Sequence, residues 1–294
     1  MSVPALLVLD TLTADEAATA DLLMGALTSH AAANATAEKY YEGRHATEQF
    51  GISIPPSMAG LQTVAGWPGT TVDVIEERLD WLGWSDDADL GLDEVYSANM
   101  LDVDSGLGHL DALIFGTSFV SVGTGLEGEP HPLITPHSPK STTLLWDVRA
   151  RRAKSALSVV VSAGRATEQT IYLPDQTITV DLSRGHPRVM DRDMHSLGRV
   201  PVVPLPNRTR TSREFGRSEI TRAVRYLSDA AMRTLLGMEV NREFYSAPQR
   251  VALNVDESMF RDAAGNPVSQ WTSIQGRVWA IPANDDGGAA PSVQ

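Results

Sequence analysis

The chain contains no cysteine, which excludes disulfide scaffolds, thiolate zinc centres and cysteine nucleophiles together. Long apolar runs are also missing, and nothing in the sequence approaches the ~20 residues that cross a bilayer. The apolar stretch Ala5 to Leu9 lacks the basic flank and cleavage pattern of a signal peptide. These absences predict a soluble intracellular product without a membrane partner. Aromatic residues make up only 6% of the 294 positions, and lysine is nearly absent, three residues against 21 arginines. What remains is the composition of a folded chain, 42% apolar and 21% charged. The length suits roughly two domains of about 150 residues.

Charge is unevenly placed. Residues 1–111 hold 19 acids against three bases (Lys39, Arg44 and Arg78), a net of −16, whereas residues 112–294 carry a net of +3. Within 207–225 there are six arginines, at 208, 210, 213, 217, 222 and 225, against Glu214 and Glu219. An acidic front and a basic later segment describe either solvated faces or surfaces that meet different neighbours.

Periodicity sorts the chain into three stretches. The first is helical. Thr13 and Glu16 make a capping box, and the Ala-rich run behind them reaches Tyr40 and Tyr41 before Gly43 stops it. Leu22, Leu23, Ala26 and Leu27 provide its apolar stripe. A second helix is predicted from Val72, Ile75, Leu79 and Leu82, with Thr70 and Asp73 as its box and Gly83 as its stop. A third is predicted around Leu107 to Phe115.

From Ser118 to about Val203 the segments SFVSVG, ALSVVVS, TIYL, TITVDL and VPVVPL are short and rich in Val, Ile and Thr. TIYL and TITVDL flank a Pro-Asp-Gln turn and predict an antiparallel hairpin. A β-rich middle behind a helical start makes the fold class α+β.

The third stretch opens with the longest helical pattern in the chain, Glu219 to Tyr245, with Ser218 as its cap. Ile220, Val224, Leu227, Ala231, Leu235 and Met238 step by three or four along it. A helix about 40 Å long needs a partner along its length, and no second helix of that length is available here. The partner is expected from another subunit or from sequence beyond this chain. The tail after Pro248 has two strand-like phrases, QRVALNV and GRVWAI, and ends in a polar, glycine-rich loop that predicts a longer natural protein.

Candidate chemical motifs fail one by one. Gly123-Thr124-Gly125-Leu126-Glu127-Gly128 has the spacing of a dinucleotide fingerprint, but prolines at 130, 132 and 136 forbid the helix that must follow. It is expected to be a turn between strands. The calcium-like Asp102-x-Asp104-x-Gly106 has Leu113 where a bidentate Glu is required. Seven histidines show no ligand spacing, and His131 and His137 are expected to be solvated in a proline-rich loop. There is no nucleophile elbow and no phosphate-binding loop. Acids 86, 87, 89, 93 and 94 read as a solvated loop, with a metal cluster as the alternative. No catalytic, cofactor-binding or metal-binding residue is therefore assigned, and the chain is expected not to be an enzyme. The arginine segment lacks aromatic interleaving and a recognition motif, so Arg208, Arg210, Arg213 and Arg217 are candidates for subunit contacts rather than for tight DNA binding.

Taken in order, KYYEGRH, YSANMLDVDSGLGHLDALIFGTSFVSVG, TIYLPDQTITV, LGRVPVVPLPNRTR and GRSEITRAVRYL through NREFYSAPQR resemble the portal proteins of tailed double-stranded DNA bacteriophages, of the siphophage type. The resemblance covers most of residues 36–282. It implies a helical and β-rich wing over 1–215, a stem helix over 216–246 and a small β-containing clip over 247–294, with a second stem helix and a crown lacking at the C-terminal end. It also implies a homo-oligomeric ring, usually of twelve copies, at one capsid vertex of the virion, assembled in the host cytoplasm. Such a ring is a conduit for genome packaging and ejection. The partners implied are the terminase large subunit, a head–tail adaptor, major capsid and scaffolding proteins, and duplex DNA passing without sequence specificity. Two readings from other classes remain, a phage-encoded metal-dependent nuclease and a monomeric α+β binding module.

Overall fold

The first helix, α1 (Ala14–Tyr41), begins and ends as its sequence dictates. The Thr13 hydroxyl accepts from the Glu16 N–H, and the Glu16 carboxylate accepts from the Thr13 N–H at 2.8 Å. At the other end Gly43 adopts φ +65°, its N–H donates to the Tyr40 carbonyl, and the Arg44 N–H donates to Lys39. That pair of bonds is a Schellman stop. The structure, a computed structural model, describes residues 11–45, 63–85, 90–183, 185, 187–245, 250–253 and 278–281. The chain divides into two compact units, Met1–Ala46 with Val64–Asp229, and Thr47–Thr63 with Ala230–Gln294.

In the first unit, helices α2 (Trp67–Glu76), α3 (Leu92–Ala98) and α4 (Leu101–Phe115) follow α1. Eight strands come next: β1 (Thr117–Gly123), β2 (Leu133–His137), β3 (Thr142–Asp147), β4 (Arg152–Ser162), β5 (Arg165–Tyr172), β6 (Gln176–Asp181), β7 (Arg188–Met194) and β8 (Val202–Pro206). They form an antiparallel five-stranded meander in chain order from β3 to β7, and a three-stranded sheet ordered β2-β1-β8. The α+β class is thus observed, and the hairpin expected at Pro174-Asp175 is β5 with β6.

Alternation along the strands gives the meander two faces. Leu157, Ile171 and Ile178 lie in register with one another, and with Val159, Val180 and Val189 they pack under Ala20 and Leu23 of α1. On the other face Leu144, Ala153 and Ala156 meet Phe119 and Val202 of the three-stranded sheet. A third core joins Val72, Leu113, Ile114 and Ile220 to Tyr40 and Tyr41 at the end of α1. One long helix therefore reaches two cores.

The join between α1 and the meander is polar. Arg192 of β7 pairs with Glu16 through both of its terminal nitrogens, at 2.7 and 2.8 Å, and Gln176 of β6 donates to the same carboxylate at 3.0 Å. The Arg192 bond holds the Glu16 carboxyl far below the usual range, at about 2, against the opposing effect of burial.

Several helix boundaries differ from expectation. α2 starts earlier, because Pro68 pre-sets the helical φ in its first turn, and ends at Glu76, leaving Leu79 and Leu82 exposed. Asp73 accepts from the Tyr41 hydroxyl at 2.9 Å instead of closing a box with Thr70. Leu22 of α1 is exposed, and Met24 takes its place against the core. α4 runs back to Leu101, so Asp102, Asp104 and Gly106 are helical and not a calcium loop. His137 belongs to β2, half-buried, with Nε2 2.8 Å from the Ser121 hydroxyl, so it is not a solvated loop residue. The Gly123–Gly128 segment is, as expected, the connection from β1 to β2.

The second unit is described for Thr63, for α5 (Arg222–Tyr245) from Ala230 onward, and for a parallel pair, β9 (Arg250–Leu253) with β10 (Val278–Ile281). Thr63 donates to the Met232 carbonyl at 3.1 Å. The two strand-like phrases of the tail are these strands, and the terminal loop lies outside the described residues.

A group whose folded pKa is depressed stabilises the fold above its unfolded value and loses that contribution as pH falls through the folded one. For Glu16 the window runs from 4.5, its ordinary value, down to about 2. Glu16→Gln is expected to cost about 1–3 kcal/mol at neutral pH and to flatten the acid limb of stability between those limits. Urea unfolding measured over pH 2–7 checks this, and an unchanged acid limb would rule out the pair as its cause.

Candidate functional site: the arginine loop and the head of the long helix

Residues 207–217 leave the end of β8 and return to the start of α5. Asn207 organises them. Its N–H donates to the Gly116 carbonyl at 2.9 Å, and its carbonyl accepts from the Arg217 N–H at 2.8 Å. Its side-chain amide donates to the Arg217 carbonyl and to the Glu219 carboxylate, each at 2.9 Å. The Glu219 N–H in turn donates to the Leu113 carbonyl at the end of α4. Two glycines permit this crossing. Gly116 has φ +100° and Gly216 has φ +68°, and a Cβ on Gly216 would stand 2.0 Å from the Asn207 carbonyl oxygen.

The carboxylate of Glu219 is buried beneath the loop. Burial by itself would raise its pKa. Hydrogen bonds from Asn207 and Arg208, with the charges of Arg208 and Arg217, outweigh burial and leave the group below its ordinary value. Glu219 therefore stays ionised at neutral pH and holds Arg208.

Arg210 and Arg213 exchange reciprocal backbone bonds, 3.1 and 2.7 Å, which close a tight turn. Their side chains are exposed and make no ion pair among the described residues, and Arg217 is likewise exposed. Phe215 anchors the loop edge-on to Trp146, ring centres 6.2 Å apart. Of the four arginines singled out by sequence, one is committed inside the chain and three are presented outward.

α5 begins at Arg222, three residues later than expected. Its 24 residues are fewer than the 28 of α1, so it is not the longest helix and a second helix of that length is present. α1, however, spends its apolar residues Ala20 and Leu23 on the meander. The Thr221 hydroxyl, not that of Ser218, accepts from the N–H of the third helical residue, Val224. Ser218 instead accepts from the Ile220 N–H at 3.0 Å, and Ile220 is buried ahead of the helix. Along α5 the buried row is Ser228, Met232, Leu236 and Val240. The row read from sequence lies beside it: Val224 and Ala231 are half-buried, while Leu227, Leu235 and Met238 are 56%, 42% and 61% exposed.

The head of α5 also meets the end of α1. The Tyr40 hydroxyl donates to Asp229 at 3.0 Å, His45 stacks on the Tyr40 ring with centres 4.0 Å apart, and the Arg225 guanidinium lies over the same ring, 5.8 Å from its centre. Burial, then the Asp229 bond, raises the Tyr40 phenol. Ser228, His45 and Asp229 are three residue types of a catalytic triad, but their geometry differs from one. Ser228 Oγ and Asp229 both approach the same nitrogen, Nε2, at 3.4 and 3.6 Å, and Ser228 donates to the Ala65 carbonyl. A relay needs the acid and the nucleophile on opposite ring nitrogens. The cluster is a joint between helices.

Residues 27–288 match the family model for phage portal proteins of the SPP1 Gp6-like kind. The chain belongs to that family. The portal protein of Mycobacterium phage D29 is 35% identical over 228 residues, and that of Mycobacterium phage L5 is 33% identical over 231, each covering 74% of this chain. In both cases the match takes in 47% of the relative, so this portal-family chain spans about half the length of these relatives.

Among the described residues of this portal-family member, no three His, Asp or Glu side chains are grouped to hold a metal, and no helix is long and apolar enough to cross a membrane. Acids 86, 87 and 89 lie outside the described residues, while Asp93 and Glu94 occupy the first turn of α3. Sequence reasoning missed Asn207. An Asn between Pro206 and an arginine, flanked at a distance by two glycines, was its available signal.

Gly216→Ala is expected to destabilise the first unit by more than about 3 kcal/mol, because the methyl group collides with backbone. Gly164→Ala, also at positive φ but in open space, should cost only about 1–2 kcal/mol. Guanidinium unfolding of both variants makes the comparison, and equal losses would mean that the Asn207 crossing yields.

Proposed function

We propose that this chain supplies the wing, the first stem helix and clip residues of a portal ring at one capsid vertex, through which duplex DNA is packaged and ejected without sequence specificity. The observation that carries the reading is the row Leu227, Leu235 and Met238, which the chain leaves exposed on α5. Burying a leucine contributes about 1.5–3 kcal/mol, and a neighbouring subunit, or the portion of the relatives not spanned here, would supply the cover. On this reading residues 1–215 form the wing, 216–246 the stem helix and 247–294 the clip. Arg210, Arg213 and Arg217 serve contacts between copies. In a heterologous ring each copy offers the same two surfaces to its two neighbours, so one contact repeats until the circle closes.

The role is structural, not catalytic. A conduit works best with weak DNA affinity, since each phosphate neutralised by a fixed cation adds binding that slows passage, and the net charge of −13 is compatible with that. Terminase large subunit, a head–tail adaptor, and capsid and scaffolding proteins would dock on the outer surfaces, in the virion and, during assembly, in the host cytoplasm.

Light scattering tests the ring against a nuclease or a monomeric binding module, which would run near one or two masses of 31.7 kDa. Leu227→Asp and Leu235→Asp are expected to abolish the ring while changing the stability of the chain itself by no more than about 0.5 kcal/mol, as exposed sites do. A well-formed ring from either variant would refute the stem assignment. With Arg210, Arg213 and Arg217 all changed to Gln, ring formation should fall while duplex-DNA retention and its salt slope stay unchanged. Normal rings with collapsed DNA retention would make these arginines a DNA site.

A further inference from the structure

At the end of α4 opposite the arginine loop lies an apolar face with no cover in the described chain. Leu82 is 90% exposed, and Leu79, Leu90, Met100, Val103 and Leu107 are all exposed with it. Val103 and Leu107 are one turn apart on α4. Gly106, between them, lies against the Glu76 carboxylate at the end of α2, 3.1 Å from where a Cβ would stand. The segment carrying Leu79 and Leu82 therefore starts beside this part of α4.

That face is rigid. Trp81, Trp84 and Tyr96 meet edge to face, with ring centres 4.9, 5.4 and 6.0 Å apart, and the Tyr96 hydroxyl donates to the Trp81 carbonyl at 2.7 Å. It is also acidic. Residues 73–85 and 90–104 hold eight carboxylates and one base, Arg78. Asp80 adjoins Trp81 in the chain and Asp102 stands in the first turn of α4 next to Val103, and the charges of both, after burial, raise the Tyr96 phenol.

We propose that this face receives the arginine loop, residues 208–217, of a second copy of the chain. The proposal rests on the portal-ring reading and names the surface that the outward arginines meet. Charge complementarity selects the occupant: an acidic face rejects nucleic acid and accepts a cationic loop, and the exposed side chains of Arg210 and Arg213 present one. Distance excludes the loop of the same copy. The residues flanking the loop, Asn207 and Glu219, are bonded to Gly116 and Leu113 at the C-terminal end of α4, whereas the face surrounds its N-terminal end, and Leu101–Phe115 spans about 20 Å. Two complementary surfaces held apart by one helix are what a head-to-tail contact requires.

The test is a charge exchange in the full chain, with circular dichroism and thermal unfolding to confirm each variant folds. Asp80→Lys with Asp102→Lys should weaken self-association at least tenfold, as should Arg210→Glu with Arg213→Glu. All four together should restore it, as should mixing the two double variants. If the arginine variant alone loses association, the arginines are subunit contacts and the face assigned here is wrong. If neither loses it, the subunit reading of the arginines fails as well. A photo-crosslinker at position 82 gives a second readout: adducts to the 208–217 peptide of another copy are expected, and adducts confined to other segments or to the same copy would overturn the proposal.

Discussion

The crossing of two backbone segments at Asn207 fixes where, within the first unit, the lead-in of α5 leaves the end of α4. Four bonds from one residue tie the end of β8 to the end of α4 and to the lead-in of α5. The segments approach so closely that neither Gly116 nor Gly216 has room for a side chain. With that crossing in place, Glu219 is trapped under the loop as a charged group, and its carboxylate fixes Arg208. The remaining arginines are then carried outward on a short, closed turn. A long loop would leave the same charges free to collapse onto the acidic helices, so the presentation is a consequence of the crossing.

Helix α1 performs the complementary task. Its first half is fastened to the meander by Glu16 with Arg192 and by apolar packing of Ala20 and Leu23, and its last turn reaches the core shared by α2 and α4. Tyr40 then contacts the head of α5 through Asp229. The start of α5 is thereby held from two sides, by the Asn207 crossing and by the end of α1. A single tether would let the helix pivot.

The surfaces left over divide by chemistry. Outward arginines occupy one end of α4, carboxylates and exposed leucines surround the other, and a further apolar row runs along α5. Apolar side chains in such numbers are costly in water for an isolated chain, and each row has the spacing of a packing surface. The fold thus presents several unfilled contacts of different character.

Much of this was legible in local sequence. The Thr13–Glu16 box, the Gly43 stop, the hairpin around Pro174-Asp175 and the interruption after Gly128 depend on bonds between near neighbours, and near neighbours are what sequence specifies. The existence of α5 was legible for the same reason. Strands β2, β3 and β7 were not read, because Leu133–His137, Thr142–Asp147 and Arg188–Met194 gain their strand character from the partners beside them. Which row of α5 is buried was also beyond reach. Ser228, Met232, Leu236 and Val240 repeat as regularly as the more apolar row beside them, and a helix with two adequate rows buries the one its neighbours meet. Asn207 belongs with these cases: its bonds join residues from Gly116 to Glu219, and only the closed chain brings those positions together.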